Sequence, residues 1–203
     1  HHCSLARYSP MRVSIVDIEG DAASVDERGA SVEAQEAANL QLYEQALLQH
    51  ATNPAEAAAS YAQLLAQPIV AEAVAEARVA ADEGELVRRP SLQLKFLALK
   101  NLALLEADRG EPGRAVGMLL QAVQIHCRDA VLWQRLGVLA GRTAQLQLAR
   151  HALEQAVACS PSFQLARLQL VKLLHGLGDE VAARRLTGGA ARIRPAADLA
   201  LTD

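Results

Sequence analysis

Length, composition and charge narrow the kinds of protein that this sequence can encode. Of its 203 residues 51% are apolar but only 3% are aromatic, and the formal net charge is −3. Such a composition suits a helical array built from alanine and leucine and argues against a β-sandwich or barrel. No apolar run approaches the roughly 18 residues that a membrane-spanning helix needs, so we expect a soluble chain.

Residues 1–32 form the first predicted segment. They mix serine, aspartate, glycine and single apolar residues without a period, which predicts a disordered or loosely docked segment. The chain begins at His1 rather than at a methionine, and Met11 could be a natural start. We therefore expect a fragment, a processed product or an incomplete gene model.

An atypical helix pair is predicted next, over residues 34–66. Residues 34–49 carry a broad apolar stripe at helical spacing, which favours a helix. Pro54 is well placed to open the following helix, and Ala57 and Tyr61 fit the second helix of a repeat.

An interruption is predicted at residues 67–90. Its first part, 69–81, is rich in alanine, valine and glutamate and should be helical. Its second part, 82–90, is charged, contains a glycine and ends in a proline, which indicates an exposed loop. The regular array is expected to begin at Ser91.

The most regular stretch of the chain has the spacing W-x2-L-G-x11-A-x3-L-x2-A-x4-P, which is the tetratricopeptide pattern. The residues at these positions are Trp133, Leu136, Gly137, Ala149, Leu153, Ala156 and Pro161. Gly137 and Ala149 are small where the two helices of a pair must cross closely. Such a pair cannot bury its apolar face alone, so neighbouring repeats are required.

The neighbouring repeats lie 34 residues away in both directions, where the leucines and the turn residues Gly110, Ala144 and Gly178 recur in phase. Three regular repeats are predicted, over 96–129, 130–163 and 164–197. The predicted fold is all-α, a right-handed superhelical tetratricopeptide array, or α-solenoid, over 33–197 with a tail at 198–203. We expect the chain to stop within a longer solenoid.

No arrangement typical of an enzyme stands out. The six histidines form no paired-ligand spacing, and His126 and Cys127, being adjacent, point to different helix faces. We expect His151 to be packed within its repeat, and Cys127 and Cys159 to be reduced and buried. The sequence therefore predicts no catalytic residues, no cofactor and no metal site.

Protein binding is the function that such an array usually serves, through a concave groove lined by the first helices. The predicted groove residues are Lys100, Asn101, Leu104, Gln134, Val138, Arg142, Leu168, Lys172 and His175, with Val131 and Leu165 at further outward positions. Lys100 and Asn101 resemble two members of the carboxylate clamp of co-chaperone repeats. Leu104, Gln134 and Leu168 do not fit that clamp, so we do not expect chaperone-tail binding.

The charges are divided unequally along the chain. Residues 1–86 carry 14 acidic and 4 basic side chains, whereas residues 87–203 carry 9 acidic and 16 basic ones. This dipolar distribution could steer an acidic partner to the C-terminal half, although solvated helix faces are the commoner explanation.

Some motifs are more particular than the repeat positions. They are the K-N-L-A sequence at 100–103, the L-A-R-H-A-L-E sequence at 148–154 and an interruption that ends at Arg89-Pro90. With them, residues 33–187 resemble the N-terminal array of the cabin family of calcineurin-binding proteins, whose yeast counterpart is the histone-regulation subunit Hir3.

This resemblance implies a nuclear scaffold subunit of the HIRA-type histone chaperone complex, which assembles nucleosomes independently of replication. The implied partners are HIRA-like subunits and, indirectly, histones, with no direct binding of nucleic acid, membrane or small molecules. Two alternatives stay open. One is a generic tetratricopeptide adaptor that binds a peptide in its groove, and the other is an enzyme regulated through its repeats.

Overall fold

The computed structural model describes residues 27–73 and 89–188, and all the regular elements in these ranges are α-helices. The helices are α1 (Glu27–Gln49), α2 (Pro54–Ala66), α3 (Pro68–Ala71), α4 (Pro90–Asp108), α5 (Pro112–Ile125), α6 (Ala130–Arg142), α7 (Leu146–Cys159), α8 (Gln164–Gly176) and α9 (Glu180–Gly188). They pack mainly as the sequential pairs α1 with α2, α4 with α5, α6 with α7 and α8 with α9. The predicted all-α class and helix pairs are confirmed.

The early part of the chain departs from the prediction in two places. Helix α1 begins at Glu27, inside the segment predicted to lack structure, and only residues 1–26 of that segment lie outside the described ranges. In the interruption, helix α3 ends at Ala71. The rest of the predicted helix and most of the predicted loop, residues 74–88, lie outside the described residues.

The chain divides into two compact units. The first ends at Cys127 and contains α1 to α5, and the second begins at Arg128 and contains α6 to α9. Within the described residues, none of the helices is long and apolar enough to cross a membrane.

The turn inside each regular repeat is built in the same way. Its central residue has a positive φ angle: +87° at Gly110, +59° at Ala144 and +76° at Gly178. The next backbone N–H donates to the carbonyl five residues earlier at 2.9 Å in all three turns, as in a Schellman helix end. The backbone therefore repeats every 34 residues, as the sequence predicts.

Helices α6 and α7 approach each other closely at Gly137 in the second unit. A Cβ atom there would lie 2.6 Å from Cγ of Leu153 and 3.2 Å from the carbonyl oxygen of Ala149. Leu153 in turn packs with Leu170 and Leu174 of helix α8, so the crossing is continuous with the core between repeats. The predicted steric role of Gly137 is confirmed.

Candidate partner-binding surfaces

The K-N-L-A motif places two polar side chains in the interior of the first unit. Lys100 and Asn101 are each 2% exposed, because α4 is packed against α1, α2, α3 and α5. The amide of Asn101 donates to the hydroxyl of Tyr43 at 3.1 Å and to that of Tyr61 at 3.4 Å. Asn101 therefore ties helix α4 to α1 and α2.

This buried cluster extends to the end of helix α1. The Tyr61 hydroxyl lies 3.4 Å from Nδ1 of His50. Burial raises the pKa of Tyr61, and the neighbouring Tyr43 adds to this effect. Burial also lowers the pKa of His50 and outweighs the opposing charge of Asp108. Both shifts favour the uncharged side chains of Tyr61 and His50, which suits a buried structural hydrogen-bond network.

Lys100 is held over an aromatic ring rather than presented to a partner. Its ammonium lies 5.4 Å from the centre of the Phe96 ring, within the range of a cation–π interaction. Phe96 also packs edge-to-face against His126, with ring centres 5.6 Å apart. The predicted outward position of Lys100 and Asn101 was wrong, since the packing of α4 on several sides turns both side chains inward, and Leu104 beside them is half-buried.

Lys95, which is not among the predicted groove residues, ties the end of α3 to helix α4. Its ammonium donates to the carbonyl oxygens of Ala71 at 2.7 Å and Ala73 at 2.8 Å. Ala71 is the last residue of α3 and Ala73 lies two residues beyond it, where backbone acceptors have no helical partner. Partial burial lowers the pKa of Lys95.

In the second unit, Gln134 joins two helices instead of facing a partner. It is 8% exposed, and its amide donates to the side-chain oxygen of Gln169 at 2.6 Å. This bond links α6 to α8, so the predicted outward position of Gln134 was also wrong. Val138 is half-buried and Arg142 is exposed on the same helix.

Helix α8 presents an exposed apolar stripe. Leu165 is 50% exposed and Leu168 is 51% exposed, and the exposed Lys172 follows at helical spacing. Nδ1 of His175 lies 2.8 Å from a carboxylate oxygen of Glu180. The candidate site that we call the α6–α8 surface consists of Val131, Val138, Arg142, Leu165, Leu168 and Lys172.

The residues considered for chemistry are dispersed. His151 is exposed, and its ring contacts Trp133 edge-on at 5.9 Å. Cys159 is exposed, contrary to the expected burial, because it lies at the last residue of α7. In residues 27–73 and 89–188, no three histidine, cysteine or carboxylate side chains come together as metal ligands would.

Comparison with known proteins gives the family of the chain. Residues 36–202 match the model of the CABIN1 N-terminal domain. The chain belongs to this family. It is also 40% identical over 90 residues to Calcineurin-binding protein 1 of Arabidopsis thaliana, an alignment that covers 43% of this chain and 5% of that protein. The aligned part of the chain thus spans about a twentieth of the relative's length.

Solved structures show the fold of this chain. The C-terminal TPR-containing domain of a putative FK506-binding protein from Plasmodium falciparum superposes with a TM-score of 0.58 at 17% identity, covering 72% of this chain and 93% of that domain. The protein MamA superposes with a TM-score of 0.56 at 16% identity, covering 87% of this chain and 86% of its own. The fold is a tetratricopeptide-type α-solenoid, an architecture that serves as a protein-interaction scaffold.

Proposed function

We propose that this chain is the array through which a subunit of a histone chaperone complex holds its partner proteins in the nucleus. The observation that carries the proposal is the match of residues 36–202 to the CABIN1 N-terminal domain. The proposed partners are HIRA-like subunits and, through them, histones during replication-independent nucleosome assembly. The proposed role is to hold proteins together and includes no catalysis.

The α6–α8 surface is the proposed contact in the second unit. Leu165 and Leu168 each leave about half of their surface in water, so covering them on binding would contribute about 1 kcal/mol each. Arg142 and Lys172 lie at the outward positions of the same two helices and are exposed. Their charges would speed the approach of an acidic partner segment.

The test is affinity purification of the tagged full-length parent from nuclear extract, with the bound proteins identified by mass spectrometry. Recovery of HIRA-like subunits together with core histones supports the proposal. Recovery of cytosolic chaperones or an unrelated client instead contradicts it.

A pair of variants tests the surface itself. Leu165→Asp combined with Leu168→Asp should reduce partner recovery by about tenfold or more, because the partner would then have to cover two charged side chains instead of two apolar ones. Leu146→Asp is the matched control, since Leu146 is 42% exposed on α7 and lies outside the surface. Equal losses in both variants would contradict the assignment of the α6–α8 surface.

A generic tetratricopeptide adaptor is the second candidate function. The exposed Leu165, Leu168 and Lys172 favour it, since three such positions on one helix suit a short amphipathic peptide. One enriched peptide motif in a display screen, lost with Leu168→Asp, would support this adaptor if the nuclear purification fails.

A further inference from the structure

A groove lined by side-chain amides lies between helices α1 and α2 in the first unit. It has a volume of about 300 Å³. Its lining residues are Ala38, Asn39, Gln41, Leu42, Gln45, Gln63 and Gln67. We call it the amide groove. It shares no residue with the α6–α8 surface and lies outside the stretch that carries the K-N-L-A motif.

Helical spacing brings four of the lining residues onto one face of helix α1. Ala38, Gln41, Leu42 and Gln45 are at positions i, i+3, i+4 and i+7 of helix α1, which form one face. The next stripe of the same helix, which includes Tyr43 and Ala46, is buried against the unit. The burial of Tyr43 and Ala46 therefore sets which face of α1 borders the groove beside α2.

The lining contains five carboxamides and no charged side chain. A carboxamide offers two N–H donors and one carbonyl acceptor, and a peptide bond offers one of each. Asn39 is only 5% exposed, so the exposed side chains of Gln41, Gln45 and Gln63 supply most of the accessible amide groups. Such a lining pairs with neutral polar groups that alternate donors and acceptors, and it gives a charged group no partner of opposite sign.

The dimensions fit a short length of extended main chain. From Ala38 to Gln45 the face covers seven helical steps, or about 10 Å. An extended chain rises about 3.3 Å per residue, so about three residues fit along it. Leu42 is half-buried on the same face and offers an apolar contact to one side chain of the bound segment.

We propose that the amide groove binds an extended, uncharged peptide segment of a partner protein by pairing its glutamine amides with the main chain of that segment. This contact is separate from the one proposed for the α6–α8 surface. Because no ion pair takes part, binding here depends little on salt, whereas steering by Arg142 and Lys172 is screened by it.

The experiment uses the complete chain to select binders from a random-sequence peptide display library, followed by affinity measurement of the selected peptides. Gln45→Ala combined with Gln63→Ala removes two exposed amides and retains good helix formers. The matched control is Gln121→Ala combined with Gln147→Ala, at exposed positions of α5 and α7.

The expected result is a set of peptides whose affinity falls about tenfold in the groove variant, through the loss of two hydrogen bonds. The control variant should leave the affinity unchanged, N-methylation of one main-chain amide should weaken binding, and added salt should change it little. Peptides that bind parent and groove variant equally, peptides that depend on their charge, or the recovery of none would each overturn the proposal. None of these results depends on the α6–α8 surface, which is tested by its own variants.

Discussion

Gly137, where helices α6 and α7 approach closely, gives the sharpest test of the packing. In Gly137→Ala the added methyl carbon would lie 2.6 Å from Cγ of Leu153 and 3.0 Å from its Cδ2. Attractive contact between carbon atoms requires about 3.5–4.0 Å, so the neighbours must move. Leu153 is 3% exposed and packs on Leu170 and Leu174, which leaves it little room.

Two opposing effects set how much Gly137→Ala changes the free energy of unfolding. Replacing a helical glycine by alanine contributes about 1 kcal/mol of stability through helix propensity, whereas overpacking a filled core costs about 1–3 kcal/mol. The carbonyl oxygen of Ala149, 3.2 Å from the new Cβ, belongs to the backbone and yields only if helix α7 shifts. We therefore expect Gly137→Ala to lower the free energy of unfolding by up to about 2 kcal/mol.

Gly141 supplies the control within the same helix. A Cβ atom there meets only Cβ of Ala149, at 3.9 Å, which is an ordinary contact. Gly141→Ala should therefore raise the free energy of unfolding by about 0.5–1 kcal/mol. Urea unfolding followed by far-ultraviolet circular dichroism measures both variants. If Gly137→Ala proves as stable as Gly141→Ala, the close crossing of α6 and α7 is refuted.

Two further substitutions test the turns and the buried cluster. Ala144→Gly should raise the free energy of unfolding by about 1 kcal/mol, because Ala144 has a φ of +59° and a left-handed conformation costs a residue with a Cβ about that much. The control Ala158→Gly, at an exposed helical position, should instead lower the free energy of unfolding by a similar amount. If urea unfolding shows that both variants are destabilised, the left-handed turn at Ala144 is contradicted. Asn101→Leu should lower the free energy of unfolding by about 1–3 kcal/mol, because two buried tyrosine hydroxyls lose their amide donor. An unchanged thermal unfolding temperature would show that Asn101 does not join helix α4 to α1 and α2.

The two kinds of proposed contact can be separated by where each variant acts. The aspartate variants of Leu165 and Leu168 lie in the second unit, and the alanine variants of Gln45 and Gln63 lie in the first. All four side chains are exposed, so these substitutions change a surface with little effect on the core. Loss of binding in one pair only therefore assigns the contact to one unit.

The sequence by itself determined the helix pairs and their repeat. The small residue at Gly137 and the turn residues at Gly110, Ala144 and Gly178 follow from local rules, since steric limits on backbone and crossing angle act within one repeat. The 34-residue spacing placed Ala144 at the turn position of Gly110 and Gly178, and the structure shows the same left-handed backbone there, which alanine adopts at a cost. The motifs at 100–103 and 148–154 also predicted the family, which the match over 36–202 shows.

Only the tertiary structure decided which side of each helix remains accessible. Helical spacing places Lys100, Asn101 and Gln134 on the outward face of an ideal repeat, but α4 is enclosed by four helices and Gln134 bonds to Gln169 on α8. The amide groove was missed for the same reason, because its lining comes from two helices whose facing stripes are set by packing. Spacing along a chain fixes the direction of a side chain relative to its own helix, whereas burial depends on what the other helices cover.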